Sequence, residues 1–84
     1  MAVTINDIAE LVRAAKLKLP VAIETLEPDK KLSEQGIDSL DFTKLLFEVE
    51  AYFDLEIPDE DYDAGKWDTL NKIISNLNAL GATH

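Results

Sequence analysis

Asp38-Ser39-Leu40-Asp41-Phe42-Thr43-Lys44-Leu45-Leu46-Phe47-Glu48-Val49-Glu50-Ala51-Tyr52-Phe53 places Phe42, Leu45, Leu46, Val49 and Phe53 at three- and four-residue steps. That is the period of an amphipathic helix. Asp38 is a side chain of the kind that caps a helix start, so a helix is expected from Ser39 to about Phe53. Upstream, residues 20–37 mix Pro20, Pro28, Asp29, two lysines and Gly36 with scattered Val21, Ile23, Leu26 and Leu32. This composition suits a long loop anchored by a few apolar side chains, with a short helical turn around Ile23 to Leu26.

Further out on both sides the helical period returns. Ile5, Ile8, Val12, Ala15 and Leu19, widened by Leu11, predict a first helix over Thr4 to Leu19, with Thr4 as its cap, Asp7 in its first turn and Pro20 blocking its continuation. Pro58 followed by acids predicts a short third helix that Gly65 ends. Asp68 is expected to cap a fourth, whose stripe is Leu70, Ile73, Ile74, Leu77 and Leu80 and whose terminator is Gly81. No stretch alternates with period two. The expected fold is all-α: a small four-helix bundle with a long first loop and a short third helix, in a single domain over residues 1–84.

Composition narrows the function. With 84 residues there is room for one modest core and not for a deep catalytic cleft as well. Cysteine is absent, which excludes disulfides and thiolate metal sites and leaves stability to apolar packing. Residues 1–31 carry five basic and five acidic groups, whereas residues 32–84 carry three and twelve, so the net charge of -9 lies wholly in the second part. Such a surface repels nucleic-acid backbones and attracts basic protein patches. The N-terminal residues have no basic, apolar leader pattern, and no apolar run reaches membrane-spanning length. A cytoplasmic monomer without membrane insertion is expected.

Candidate chemistry is sparse. The single histidine, His84, is terminal, so no internal Ser-His pair can form and no enzyme activity is expected. Asp59, Asp61 and Asp63 match the opening of a calcium loop, but Ala64 stands where glycine is needed and Leu70 where a bidentate glutamate is needed, so no metal site is expected. Ser39 is different. As first residue of a helix it would hold its hydroxyl beside unpaired amides at the positive helix end, a place that suits a phosphate ester, although Asp38 and Asp41 partly oppose it. An ordinary helix-start serine would look the same locally. On the face away from the core stripe, Leu40, Lys44, Phe47 and Ala51 recur at helical spacing. They form either a docking patch or, if Phe47 folds inward, an extension of the core.

Spacing resolves part of this ambiguity. Gly36-Ile37-Asp38-Ser39-Leu40-Asp41, then Phe53-Asp54, then Ile57-Pro58-Asp59-Glu60 together resemble the acyl carrier protein family of phosphopantetheine-attachment domains over nearly the whole chain. The resemblance implies an up-down bundle. It also implies that Ser39 carries 4'-phosphopantetheine, attached covalently from coenzyme A, and that Asp38 helps engage the phosphopantetheinyl transferase and its metal ion. The arm's thiol would hold acyl groups as thioesters for acyl-transferring or condensing enzymes with basic patches, in fatty acid, specialised lipid or polyketide synthesis. Partner-binding residues on this basis are Leu40, Asp41, Lys44, Phe47, Glu48, Asp59 and Glu60. If an acyl chain enters the bundle, Phe42, Leu46, Ile73, Tyr62 and Trp67 are its expected neighbours, packing of the core being the plainer use of these side chains. Lys44 in a usually acidic helix, Gln35 where an apolar residue is commoner, and the stretch from Tyr62 to Trp67 depart from the family pattern and suggest a specialised member with a narrow partner set. An unmodified interaction module and an aminoacyl or peptidyl carrier are the alternatives.

Overall fold

Thr4 begins the first helix by donating its amide to the Asp7 carboxylate at 2.8 Å, which ties up the chain entry and places an acid in the first turn. This helix, α1, spans Ile5–Ala14. In the computed structural model, which describes residues 2–58, 60–61 and 65–81, it is followed by two 3-10 turns, Ile23–Thr25 and Leu32–Gln35, and by two further helices, α2 (Ser39–Phe53) and α3 (Leu70–Ala79). The described residues contain no strand. Three α-helices are therefore described, where four were expected. Of the short helix expected from Pro58 to Gly65, residues 59 and 62–64 lie outside the described ones, and residues 60–61 are helical. Within its first turn the Asp61 amide donates to the Pro58 carbonyl at 2.9 Å.

α1 stops five residues before Leu19, the expected end. Lys16 takes a left-handed conformation (φ 55°), its amide bonds to the Arg13 carbonyl (3.1 Å) and the Leu17 amide reaches back to Val12 (3.0 Å). These are the two bonds of a Schellman terminus, usually built on glycine. Leu19 packs against the core after the chain has turned, which is why it continues the helical stripe in the sequence. α3 differs by one residue at its start. Its cap is Thr69, whose hydroxyl accepts from the Lys72 amide at 3.1 Å, while Asp68 pairs with the Lys72 ammonium at 3.0 Å. Gly81, with φ 80°, follows its end as expected, but Leu80 lies outside the core, 59% exposed.

The core is built where the stripes meet. Ile8 and Leu11 of α1, Leu45, Leu46 and Val49 of α2, and Leu70, Ile73 and Leu77 of α3 are buried, at roughly 1.5 to 3 kcal/mol for each large side chain removed from water. The long loop contributes Ile23, Leu26, Leu32 and Ile37, and Trp67 closes one side as expected of a core aromatic. Main-chain bonds hold this loop to the start of α3: Leu32 N–H to Asp68 O (2.9 Å) and Asn71 N–H to Pro28 O (3.0 Å), beside an Asn71–Asp29 side-chain contact. The loop is thus a fixed platform in front of α2.

Candidate functional site

Gly36 ends the Leu32–Gln35 turn at φ 95°, a left-handed conformation that side chains resist. Ile37 then drops into the core, its amide bonded to the Leu32 carbonyl at 3.1 Å. That anchor leaves Asp38 extended at the mouth of α2, where its Oδ1 accepts the Asp41 amide at 2.8 Å. Ser39 is the first residue of α2 and is exposed. Its own amide and that of Leu40 precede any intrahelical acceptor, so they present partial positive charge beside the hydroxyl. The Thr43 hydroxyl bonds the Ser39 carbonyl at 2.8 Å and steadies this first turn from below.

A groove of about 270 Å³ runs beside the serine. Its apolar lining is Leu32, Ile37 and Phe42, and its polar lining is Lys31, Ser33, Asp38, Ser39 and Asp68 together with Gly65. A roomier depression of about 380 Å³ lies between the end of α1 and residues 19–24. None of the expected site residues lines it, so the smaller groove is the one relevant to Ser39.

The expected docking residues separate into groups. Leu40, Lys44 and Phe47 fall on one exposed face of α2, with Leu40 62% and Phe47 58% exposed; Phe47 therefore faces outward and does not enlarge the core. Asp41 and Glu48 are half-buried on the same helix and Glu60 is exposed beyond it, while Asp59 lies outside the described residues. Of the expected neighbours of an acyl chain, Leu46, Ile73 and Trp67 are sealed in the core, Phe42 is half-buried against it, and Tyr62 lies outside the described residues. Asp63, Ala64 and His84 also lie outside them. Asp61 pairs with Lys66 at 3.5 Å.

Two residues have roles that local sequence did not disclose. Gln35, which departs from the family pattern, staples the loop. Its Oε1 accepts the Glu27 amide (2.7 Å) and its Nε2 donates to the carbonyls of Glu27 and Lys30 (3.0 Å each). Lys31 lines the serine's groove from eight residues away, a proximity that exists only because the loop is pinned to α3.

Comparison with known proteins agrees with this geometry. A D-alanyl carrier protein of Bacillus licheniformis is 39% identical over 54 residues, covering 63% of this chain and 69% of that protein. Acyl carrier proteins of Chlorobium phaeobacteroides and Chlorobium phaeovibrioides are 41% and 44% identical over 61 residues, each covering 71% of this chain and 76% of the relative. The family model for the phosphopantetheine attachment site matches residues 6–77, from the first turn of α1 to the last turn of α3. The chain therefore belongs to the phosphopantetheine-attachment family of acyl carrier proteins, whose members are carriers and not enzymes and bear 4'-phosphopantetheine covalently.

Proposed function

We propose that Ser39 is the attachment residue and that residues 1–84 act as one domain presenting acyl intermediates to biosynthetic enzymes. The observation that carries this reading is the exposed Ser39 hydroxyl at the capped head of α2, with a groove beside it. The residues present fit the group: an ester oxygen at this position has helix-end amides on one side and a partly apolar trough on the other. Transfer from coenzyme A forms a bond from Ser39 Oγ to the phosphorus of the pantetheine phosphate and breaks that phosphorus's bond to the adenosine bisphosphate. The hydroxyl proton leaves to a base of the transferase or to water. Asp38 serves twice here, one oxygen holding the cap and the other making no hydrogen bond with the described residues, so it can face the transferase and its metal ion. Once attached, the arm supplies a thiol that holds the cargo as a thioester.

Docking falls to α2 and the acids that follow it. Leu40 and Phe47 offer apolar surface near Ser39, Asp41, Glu48, Asp59 and Glu60 favour partners with basic patches, and Lys44 favours those with an acid facing it. Fatty acid, specialised lipid or polyketide chemistry is the pathway class this reading favours. The D-alanyl carriers among the relatives support an aminoacyl cargo as a second reading.

Incubation with coenzyme A and a broad-specificity phosphopantetheinyl transferase is expected to add the mass of one arm to the protein. Ser39→Ala is expected to remain folded, within about 0.5 kcal/mol of the parent, and to add none. A parent protein that stays unmodified, or a Ser39→Ala variant that gains the arm, refutes the assignment. Charging the loaded protein with fatty acids by an acyl-carrier synthetase, against D-alanine by a D-alanine-activating ligase, separates the two cargo readings.

A further inference from the structure

The phosphodiester expected on Ser39 stands in unpromising electrostatic surroundings. The molecule carries a net charge of -9, and acids flank the serine at Asp38 and Asp41. Within the groove itself, however, the charges are unequal in effect. Asp38 is engaged in the α2 cap at 2.8 Å from the Asp41 amide. Asp68 is neutralised by the Lys72 ammonium at 3.0 Å, and that ammonium also donates to the Gly65 carbonyl at 2.8 Å. Lys31 lines the same groove and enters no ion pair among the described residues. Its neighbour Lys30, by contrast, pairs with Glu27 at 3.6 Å. Lys31 is thus the one charged side chain lining the groove that has neither a hydrogen bond nor an ion pair among the described residues.

The backbone of Lys31 is also held by the residue that follows it. The next residue, Leu32, is buried and its amide is bonded to Asp68 across the groove at 2.9 Å. A flexible stem on a fixed backbone lets an ammonium reach an anion without a rigid fork, the usual way lysine meets phosphate.

We propose that Lys31 is the counter-cation of the phosphodiester on Ser39, and that it draws the first part of the pantetheine arm along the groove over Leu32, Ile37 and Phe42. Lys31 is a positioning residue: it takes no part in forming the Ser39 ester. This inference rests on Ser39 as the attachment residue.

The test uses isotope-labelled full-length protein carrying an unlabelled arm, with loading established by mass. Isotope-filtered NMR is expected to show contacts between the Lys31 ε-methylene protons and the arm's protons nearest the phosphate. The Lys31 ε-resonance should move on loading more than that of Lys30, and the difference should shrink at high salt. Lys31→Gln should load and fold as the parent does, yet shift the phosphorus resonance and lose the arm contacts along the groove, while Lys31→Arg retains them. Loaded protein in which Lys31 shows no such contact and moves no more than Lys30 overturns the proposal and leaves the attachment assignment standing. If no arm is added at Ser39, that assignment fails first, and Ser39→Glu places a fixed anion at the same position. A salt-sensitive shift of Lys31 in that variant supports the counter-cation, and its absence overturns it.

Discussion

Removing the Gln35 amide should destabilise the domain without touching any partner surface. Gln35 makes three hydrogen bonds, to the Glu27 amide at 2.7 Å and to the Glu27 and Lys30 carbonyls at 3.0 Å. Each such bond is worth about 0.5 to 1.5 kcal/mol net when its partners are sheltered. These lie on a loop where water can partly replace the lost amide, so Gln35→Ala should cost about 1 to 2 kcal/mol, toward the lower end of the summed range. For a domain of this size that lowers the melting temperature by roughly 4 to 8 °C per kcal/mol. Gln35→Glu keeps the acceptor for the Glu27 amide but sets a carboxylate against two carbonyl oxygens, so at neutral pH it should be at least as destabilising as alanine. The introduced carboxyl is hindered from ionising in the folded state, which raises its folded pKa above the unfolded one. Its relative stability is therefore greatest below the ordinary glutamate range and is lost as pH rises through the folded value. Urea denaturation of the three proteins at pH 7 and pH 4, each compared with the parent at the same pH, measures these differences. A Gln35→Ala variant within about 0.5 kcal/mol of the parent, the usual spread of neutral surface changes, would refute the staple.

Two further outcomes follow from the helix ends. Asp38→Ala should lose about 1 kcal/mol with the α2 cap, whereas Asp38→Asn, which can still accept the Asp41 amide, should lose only a few tenths; thermal denaturation monitored by circular dichroism distinguishes them. Lys16 holds φ 55° at the end of α1, so Lys16→Gly should raise stability by about 0.5 kcal/mol, the relief of left-handed strain outweighing added chain entropy, while Lys16→Val should lower it; equal denaturation midpoints for all three would show that the turn carries no strain.

Much of the site was legible because its determinants are local. Asp38, Ser39 and the stripe from Phe42 to Phe53 lie within a few turns of one another, and capping and periodicity both act over that range. The errors have the opposite character. α1 is shorter than its apolar spacing predicts because Leu19 reaches the core from beyond a turn, and that spacing does not distinguish a buried residue of a helix from one that packs after it. Asp68 and Thr69 are both capping types, and the choice fell to Thr69 once Lys72 drew Asp68 into an ion pair. Leu80 continues the stripe of α3 past the point where anything packs on it.

The sequence by itself determined that this chain is helical, that α2 begins at a capped serine, and that its charge lies on the side of the chain that follows residue 31. Those properties depend on residues three or four apart, or on composition alone. Only the tertiary structure decided that Phe47 faces outward, that Gln35 is occupied within the loop, and that Lys31 shares a groove with Ser39. The last of these depends on how a loop of scattered apolar residues closes against α3. That closure is set by buried side chains and by main-chain bonds between residues about forty apart, Leu32 to Asp68 and Asn71 to Pro28, and no local pattern encodes such a distance.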